Sequence, residues 1–210
     1  MGRQPGHAAG LNASQLAEQA LALVDEEGLQ ALTLRGFARR MGVEPMSIYH
    51  YFPNKEALLD AVWDEVLSEG AVPADDPALT WQDYIRDLAN RLRTVLLRHP
   101  NVLPIMLGRS ARTTTSLDVV NGILASLTGK GLPLPVAVDV MNSITAFVMA
   151  HTLNEHALAP TAPDAIDPQR HPVLAAVVDQ GIGAGADDDV RRFTQAIEAF
   201  IVGFASRGDA

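Results

Sequence analysis

The residues between positions 33 and 55 carry an excess of basic over acidic side chains. This stretch holds four basic residues, Arg35, Arg39, Arg40 and Lys55, against one acidic residue, Glu44, which gives a local balance of +3. The whole chain has a formal net charge of −9. Guanidinium and ammonium groups bind phosphate, and phosphate contacts supply most of the non-specific affinity of proteins for nucleic acid. The acidic average therefore conceals a small basic patch.

One short predicted helix, Pro45–Tyr51, carries side chains that suit base edges. Hydroxyl, imidazole and apolar groups complement base edges and thymine methyl groups, and four residues expected to face outward supply them: Met46, Ser47, His50 and Tyr51. Arg35 lies in the first turn of the preceding predicted helix, and Lys55 lies at the start of the following one. These two positions can hold phosphates on either side of a groove.

The sequence LRGFARRMGVEPMSIYHYF, residues 34–52, has the stereochemistry of two helices that meet at a steep angle. Phe37 would face the partner helix, Ala38 would allow close crossing, and Gly42 could adopt a positive φ at the corner. Ile48 would point inward from the second helix. The pattern predicts a helix-turn-helix whose second helix enters the major groove, and an ordinary corner between two helices is the alternative.

Helical periodicity and capping residues extend along the chain without convincing period-two alternation. Asn12 with Gln15 has capping-box spacing, and Thr33 and Asn54 are further N-cap candidates. After a linker at residues 71–78, we predict helices over 80–99, 113–128, 133–156, 172–180 and 187–206. The predicted fold class is all-α, with nine or ten helices. The predicted organisation is a flexible arm at 1–10, a three-helix DNA-binding domain at 11–70 and a larger helical domain at 71–210.

Composition limits the class of protein. The chain has 210 residues, of which 48% are hydrophobic and 20% are charged, as in globular domains. It has no cysteine, which excludes disulfides, thiolate chemistry and a zinc-finger framework. We expect no membrane span, because no run approaches about 18 apolar residues. The N-terminus lacks a long apolar signal region, so we expect a cytoplasmic protein.

The segments L-T-L-R, A-R-R-M-G-V and M-S-I-Y-H-Y-F-P-N-K-E-A-L-L-D-A-V resemble the DNA-binding domain of TetR-type transcriptional regulators, without gaps over about residues 11–70. The resemblance implies a homodimeric repressor of a double-stranded DNA operator, with a second helical domain that dimerises and binds a small-molecule effector. Matched position by position, it implies DNA contacts by Thr33, Arg35, Pro45, Met46, Ser47, Tyr49, His50, Tyr51 and Lys55.

The second half, with W-Q-D-Y-I-R-D-L-A and V-M-A-H-T-L-N-E-H, more weakly resembles the tetracycline-repressor subgroup. In that subgroup a histidine and a glutamate help hold a magnesium–tetracycline complex, and local alignment places Met106 and Asn154 there. A thioether is a poor partner for a hard cation that prefers oxygen. We therefore expect no metal site, no cofactor and no recognition of tetracycline.

An adaptable apolar pocket is the expected effector site, since methionine packs against varied shapes. The candidate lining residues are Leu103, Met106, Met141, Ile144, Phe147, His151 and Asn154, with His151 or Asn154 as a polar anchor. Small residues also recur in the helices predicted at 133–156 and 188–206: Ala146, Ala150, Ala196, Ala199 and Gly203. They indicate a four-helix dimer interface, and the core of a monomer is the alternative.

Two function classes follow from these patterns. The first is a ligand-responsive DNA-binding regulator, most simply a repressor that an apolar effector releases from a palindromic operator. The second is a helical small-molecule binder or enzyme in which the N-terminal unit is only architecture. The basic helix-turn-helix favours the first class. We expect no enzymatic activity, because the sequence contains no nucleophile elbow or other catalytic motif.

Overall fold

The computed structural model describes residues 12–106, 111–157, 166–182 and 186–208. Within these ranges the chain forms helices and connecting turns without strands, which confirms the all-α prediction. The α-helices are α1 (Ala13–Glu27), α2 (Leu34–Arg40), α3 (Pro45–Tyr51), α4 (Lys55–Ser68), α5 (Trp81–Arg98), α6 (Leu103–Met106), α7 (Thr114–Gly129), α8 (Leu134–Ala157), α9 (Pro172–Asp179) and α10 (Ala186–Gly208). Two short 3-10 helices occupy Leu29–Ala31 and Pro100–Val102. The predicted arm at 1–10 lies outside the described residues.

Side-chain caps define the starts of the N-terminal helices. The Asn12 side chain accepts a hydrogen bond from the Gln15 backbone N–H at 2.8 Å, and the Gln15 side chain accepts one from the Asn12 backbone at 3.3 Å. Asn54 in the same way accepts from the backbone N–H of Ala57 at 2.8 Å. Each cap satisfies an N–H group that has no partner within its helix. The predicted capping box and the predicted N-cap at Asn54 are confirmed.

Helices α1 to α4 form the N-terminal unit, in which α1 packs along α4 and α2 packs against α3. The buried stripe of α4 has helical spacing and consists of four residues: Leu58, Leu59, Val62 and Val66. Phe37 and Ile48 are fully buried in the same core. This core fixes α3 with one face inward and the opposite face toward solvent.

The C-terminal body is built around α8, which packs against α5, α7 and α10. Its apolar core includes Ile85, Leu96, Leu127 and Ile144, each 0% exposed. Asn101 connects this body to the N-terminal unit, because its side-chain amide donates to the carbonyl oxygens of Val24 and Asp25 at 3.1 Å. The last carbonyls of α1 therefore find their partner in the C-terminal body.

Helix α8 bears on the expectation of no membrane span. Within the described residues, the segment Leu134–His156 is long and apolar enough to cross a membrane, by length and composition alone. Core helices of helical domains meet the same criterion. Here α8 packs against three neighbouring helices, and its Glu155 forms an ion pair with Arg93 of α5.

Helix α9 is apolar and has no buried residue. Its side chains Val173 and Leu174 are 77% and 49% exposed, and Ile182 just beyond its end is 54% exposed. An isolated helix of this length is unstable in water without tertiary packing. The described residues leave this apolar surface of α9 exposed.

Candidate functional site

The turn between α2 and α3 is a Schellman motif centred on Gly42, which has φ 67°. The N–H of Gly42 donates to the carbonyl oxygen of Arg39 at 3.1 Å, and the N–H of Val43 donates to that of Ala38 at 3.0 Å. An L-residue with a side chain is strained in this left-handed conformation. The turn thus has the geometry that the sequence predicted for the corner of a helix-turn-helix.

The side of α3 that faces away from the buried Ile48 is exposed to solvent and carries both polar and apolar side chains. Met46 is 75% exposed, Tyr49 is 36% exposed, and His50 is also exposed. Pro45 occupies the first turn and is half-buried, as is Ser47. The exposed set provides thioether, phenol and imidazole groups for contact with base edges.

Tyr51 differs from the sequence expectation, because it is half-buried rather than fully outward-facing. It lies three residues after Ile48, and residues spaced by three share one side of a helix. Its ring packs against the core and meets the edge of His50, with ring centroids 5.4 Å apart. Tyr51 can therefore orient His50 as well as present its own hydroxyl.

The hydroxyl of Thr33 forms the N-cap of α2, accepting from the backbone N–H of Gly36 at 3.0 Å. The hydroxyl hydrogen remains able to donate to a phosphate oxygen. A Cβ atom at Gly36 would lie 2.7 Å from the Thr33 hydroxyl oxygen, so a side chain there would displace the cap. This requirement for glycine at position 36 was not predicted from the sequence.

Basic residues flank α3 on both sides. Arg35 and Arg39 of α2 are exposed, and Lys55 begins α4 and is half-buried. These three cations lie on elements that precede and follow α3, as phosphate contacts beside a groove require.

Arg40 does not belong to this basic patch. Its guanidinium pairs with Glu26 at 2.6 Å and Glu27 at 3.1 Å, both at the end of α1. The hydrogen bond to Glu26 is the main cause that raises the pKa of Arg40. The local charge of +3 counted from the sequence is therefore reduced, because these two glutamates lie too far away along the chain to be counted.

A cavity of about 680 Å³ lies between α4, α5, α7 and α8, a size typical of sites for drug-sized molecules. Its wall includes apolar residues from all four helices and several polar groups. The lining residues are Asp60, Trp63, Asp64, Leu67, Ala71, Val72, Leu88, Leu92, Ile105, Ala111, Arg112, Thr113, Ser116, Val119, Val120, Ile123, Met141, Asn142, Thr145, Ala146 and Met149.

Of the residues expected in the effector pocket, Met141 lines this cavity. Leu103 and Ile144 are fully buried in the core, and Asn154 is exposed on α8 away from the cavity. The side chain of Met106, at the end of α6, lies outside the described part. The structure does not bring the expected set together at this cavity, because residues 144, 147, 151 and 154 lie on other sides of α8 from residues 141, 145 and 149.

Phe147 and His151 belong instead to an aromatic cluster between α8 and α10. The His151 ring lies 5.3 Å from the rings of Phe147 and Phe193, measured between centroids. The His151 Nε2 atom is buried without a hydrogen-bond partner and lies 3.5 Å from Glu155 Oε1. The Arg93 guanidinium lies over the Phe193 ring at 5.1 Å. This cluster joins α5, α8 and α10.

The contribution of α4 to the cavity wall was not predicted from the sequence. Trp63 and Leu67 are spaced by four residues and lie beside the buried stripe, so they form a second apolar face of the same helix. Asp64 lies next to Trp63 and accepts a hydrogen bond from the Thr113 hydroxyl at 2.7 Å. The two apolar residues outside the main stripe were the signal that could have located the cavity.

The arrangement defines a class of protein. A helix-turn-helix with exposed side chains on its second helix and with flanking cations is joined, through α4, to a helical body with a ligand-sized cavity. This is the architecture of a ligand-responsive DNA-binding transcriptional regulator.

Comparisons with known proteins agree with this class. Residues 16–62 match the family described as bacterial regulatory proteins, tetR family, and residues 72–207 match the tetracyclin repressor-like C-terminal domain. The chain is 29% identical over 203 residues to the class D tetracycline repressor of Escherichia coli, covering 92% of this chain and 89% of the repressor.

Solved structures of ActR from Streptomyces coelicolor have the same fold. The apo form is 25% identical with a TM-score of 0.82, and the alignment covers 97% of this chain and 99% of ActR. The complex of ActR with actinorhodin is 26% identical with a TM-score of 0.81, covering 96% and 100% of the two chains. The chain belongs to the TetR family, and it is a ligand-responsive DNA-binding transcriptional repressor.

Proposed function

We propose that this repressor acts as a homodimer on a palindromic operator and that a small, largely apolar effector releases it by filling the cavity between α4, α5, α7 and α8. The recognition helices of such a dimer lie about 34–36 Å apart or somewhat more, to match successive major grooves. We propose that the protein works in the cytoplasm, where the operator is, and that its role is regulatory rather than catalytic.

One observation carries this proposal: a single helix belongs to both the DNA-binding unit and the cavity wall. Helix α4 begins at Lys55, beside the recognition helix, and lines the cavity with residues further along the same helix, including Trp63 and Asp64. A ligand that contacts the second half of α4 can therefore shift its first half. A 100-fold difference in affinity between the two states corresponds to about 2.7 kcal/mol of coupling.

The proposed DNA contacts are the residues that the sequence analysis selected. Met46, Tyr49 and His50 have the exposure that contact with bases needs, while Ser47, Tyr51 and Pro45 are half-buried along the same helix. Thr33, Arg35 and Lys55 are proposed to hold phosphates. We propose domain boundaries at 11–70 and 71–210, and the turn that ends α4 at residues 69–71 supports this division.

The proposed dimer uses α8 and α10. Ala146 and Ala150 of α8 are exposed, as are Ala199 and Gly203 of α10, and small residues allow helices to approach closely. Val202, beside them, is 69% exposed. The uncovered apolar surface of α9 supports the same proposal, since a second copy of the chain can cover it.

The operator can be identified by selection from a random duplex library with the full chain. We expect an inverted repeat, and we expect compounds that bind the cavity to release the selected duplex in an anisotropy titration. Selection of a non-repeated site would contradict the dimeric arrangement. Compounds that bind the cavity and leave DNA affinity unchanged would contradict the proposed release.

Light scattering tests the dimer separately. The native chain is expected to be dimeric at micromolar concentration, and Val202→Glu is expected to yield monomers because it places a charge in the proposed interface. Leu97→Glu is a matched control, since Leu97 is a 40% exposed residue of α5. A monomeric native chain, or equal dissociation by both substitutions, would refute the α8 and α10 interface.

A further inference from the structure

We propose, resting on the proposed function above, that the effector is a lipophilic amine whose protonated nitrogen binds the Asp64 carboxylate inside the cavity. The apolar walls of the cavity do not by themselves determine the chemical class of the ligand.

Asp64 is the acidic group best placed to bind such a ligand. It lies on the third turn of α4, lines the cavity and is only partly exposed. Its Oδ1 atom accepts one hydrogen bond, from the Thr113 hydroxyl at 2.7 Å. An ionised carboxylate has about four acceptor positions, so most of its acceptor capacity remains for a ligand.

The charges around the cavity favour a cation over an anion. Asp60 and Asp64 lie one helical turn apart on α4 and both line the cavity. Arg112 also lines it, but Arg112 is exposed to water at the start of α7. The more enclosed charge is thus negative, and electrostatic interactions strengthen with distance from solvent.

The pKa of Asp64 is consistent with a cationic ligand. Burial raises the pKa of Asp64, the Thr113 hydroxyl opposes the shift, and the charge of Asp60 adds to it. Among the residues that the structure describes, no basic group contributes to lowering this pKa. A bound ammonium group would supply the missing positive charge.

The neighbouring groups fit the rest of such a molecule. Trp63 lines the cavity beside Asp64, and an indole face attracts cations. Leu88, Leu92 and Met149 provide an apolar wall for an aromatic or aliphatic body. The cavity volume of about 680 Å³ holds a molecule larger than a simple amine.

The test uses two probes with the same aromatic body. N-(1-naphthyl)ethylenediamine has a terminal amine that is protonated at neutral pH, and N-ethyl-1-naphthylamine is an uncharged analogue. Calorimetric titration of the full chain without DNA is expected to show about tenfold or greater preference for the charged probe, as a charge-assisted hydrogen bond implies. Asp64→Asn should abolish the preference, whereas Asp118→Asn, on an exposed part of α7, should retain it.

Asp64→Asn should also raise the melting temperature at neutral pH, because it removes a carboxylate whose charged form is disfavoured by burial. This second measurement shows that the variant is folded. Equal affinities of the native chain for both probes, an unchanged preference in Asp64→Asn, or no binding of the charged probe up to its solubility limit would each overturn the proposal. Because DNA is absent, these outcomes are distinct from failure of effector-driven operator release.

Discussion

The Nδ1 atom of His99 lies 2.7 Å from an Oδ2 atom of Asp25, and this contact joins the end of α5 to the end of α1. The second ring nitrogen of His99 lies 3.0 Å from Glu69 at the end of α4. The His99 side chain is only 13% exposed. One imidazole therefore connects the C-terminal body to two helices of the N-terminal unit.

Replacing His99 with alanine is expected to reduce both stability and allosteric coupling. The substitution leaves the carboxylates of Asp25 and Glu69 half-buried with fewer partners, which costs about 1–3 kcal/mol. Denaturant unfolding measures this loss. Effector titrations of the operator complex should show weaker release at the same effector occupancy. His156→Ala is the control, since His156 is exposed near the end of α8, and equal effects of both variants would argue against a junction role.

Lys55→Ala is expected to weaken binding to all duplexes to the same extent. Removing one phosphate contact should flatten the slope of log affinity against log salt concentration by about one unit. Met46→Ala should change base preference at particular operator positions, by about 1–3 kcal/mol where a strong contact is lost. Competition titrations with operator variants at several salt concentrations separate the two effects. The opposite assignment, with Lys55 altering preference and Met46 altering only the salt slope, would mean that the unit is oriented differently on DNA.

Gly42→Ala is expected to destabilise the chain by about 1 kcal/mol, because alanine resists the left-handed conformation of the turn. Gly122→Ala offers a matched control within α7, where an added Cβ has no heavy atom within 4 Å. That substitution should stabilise the chain by up to about 1 kcal/mol, since alanine is the better helix former. Chemical denaturation of both variants tests the sign of each change. Equal stabilisation by both would show that Gly42 is not conformationally required.

Arg93→Ala is expected to cost about 3–5 kcal/mol of unfolding free energy, because it leaves a buried carboxylate without its cation. Arg93 donates two hydrogen bonds to Glu155, whose side chain is 8% exposed. Arg91→Ala removes an exposed pair with Asp87 on the same helix and should cost at most about 1 kcal/mol. Similar losses in the two variants would contradict the importance of burial.

Acid should remove the stabilising effect of Arg86. Its hydrogen bonds are the main cause that lowers the pKa of Glu198 on α10, and it also contributes to the lowered pKa of Asp83. A carboxyl group whose pKa is lowered by folding stabilises the fold at any pH above its pKa in the unfolded state, which is about 4. This contribution is lost as the pH falls through the pKa of the group in the folded state. The melting temperature of Arg86→Met should therefore lie below that of the native chain near neutral pH and approach it below about pH 4. A difference that is constant with pH would indicate that Arg86 acts only through packing.

Most local features of the DNA-binding unit could be predicted from the sequence. The capping box of Asn12, the caps at Thr33 and Asn54, the positive φ of Gly42 and the bounds of Pro45–Tyr51 all follow from residues within four positions of one another. The buried stripe of α4 follows from the helical period in the same way. The candidate DNA contacts depend on these local features, which is why the sequence located their helix correctly.

Partners distant in sequence were decided by the tertiary structure. Arg40 was counted as part of the basic patch, yet it pairs with Glu26 and Glu27 of another helix. His151 was expected in the effector pocket, yet its face of α8 meets Phe193 of α10. Helical periodicity assigns residues to a face but contains no information on which helix that face contacts.

The sequence by itself determined the helices, their caps and the helix-turn-helix corner, because short-range hydrogen bonds and the 3.6-residue period act within single elements. Only the tertiary structure decided where the cavity lies, and which residues of α4 line it. A cavity is a gap left between several helices, so its position depends on their mutual packing. That packing brings Asp64 of the N-terminal unit into contact with Thr113 of the C-terminal body. The two residues are 49 positions apart in the sequence, so no local pattern predicts their contact.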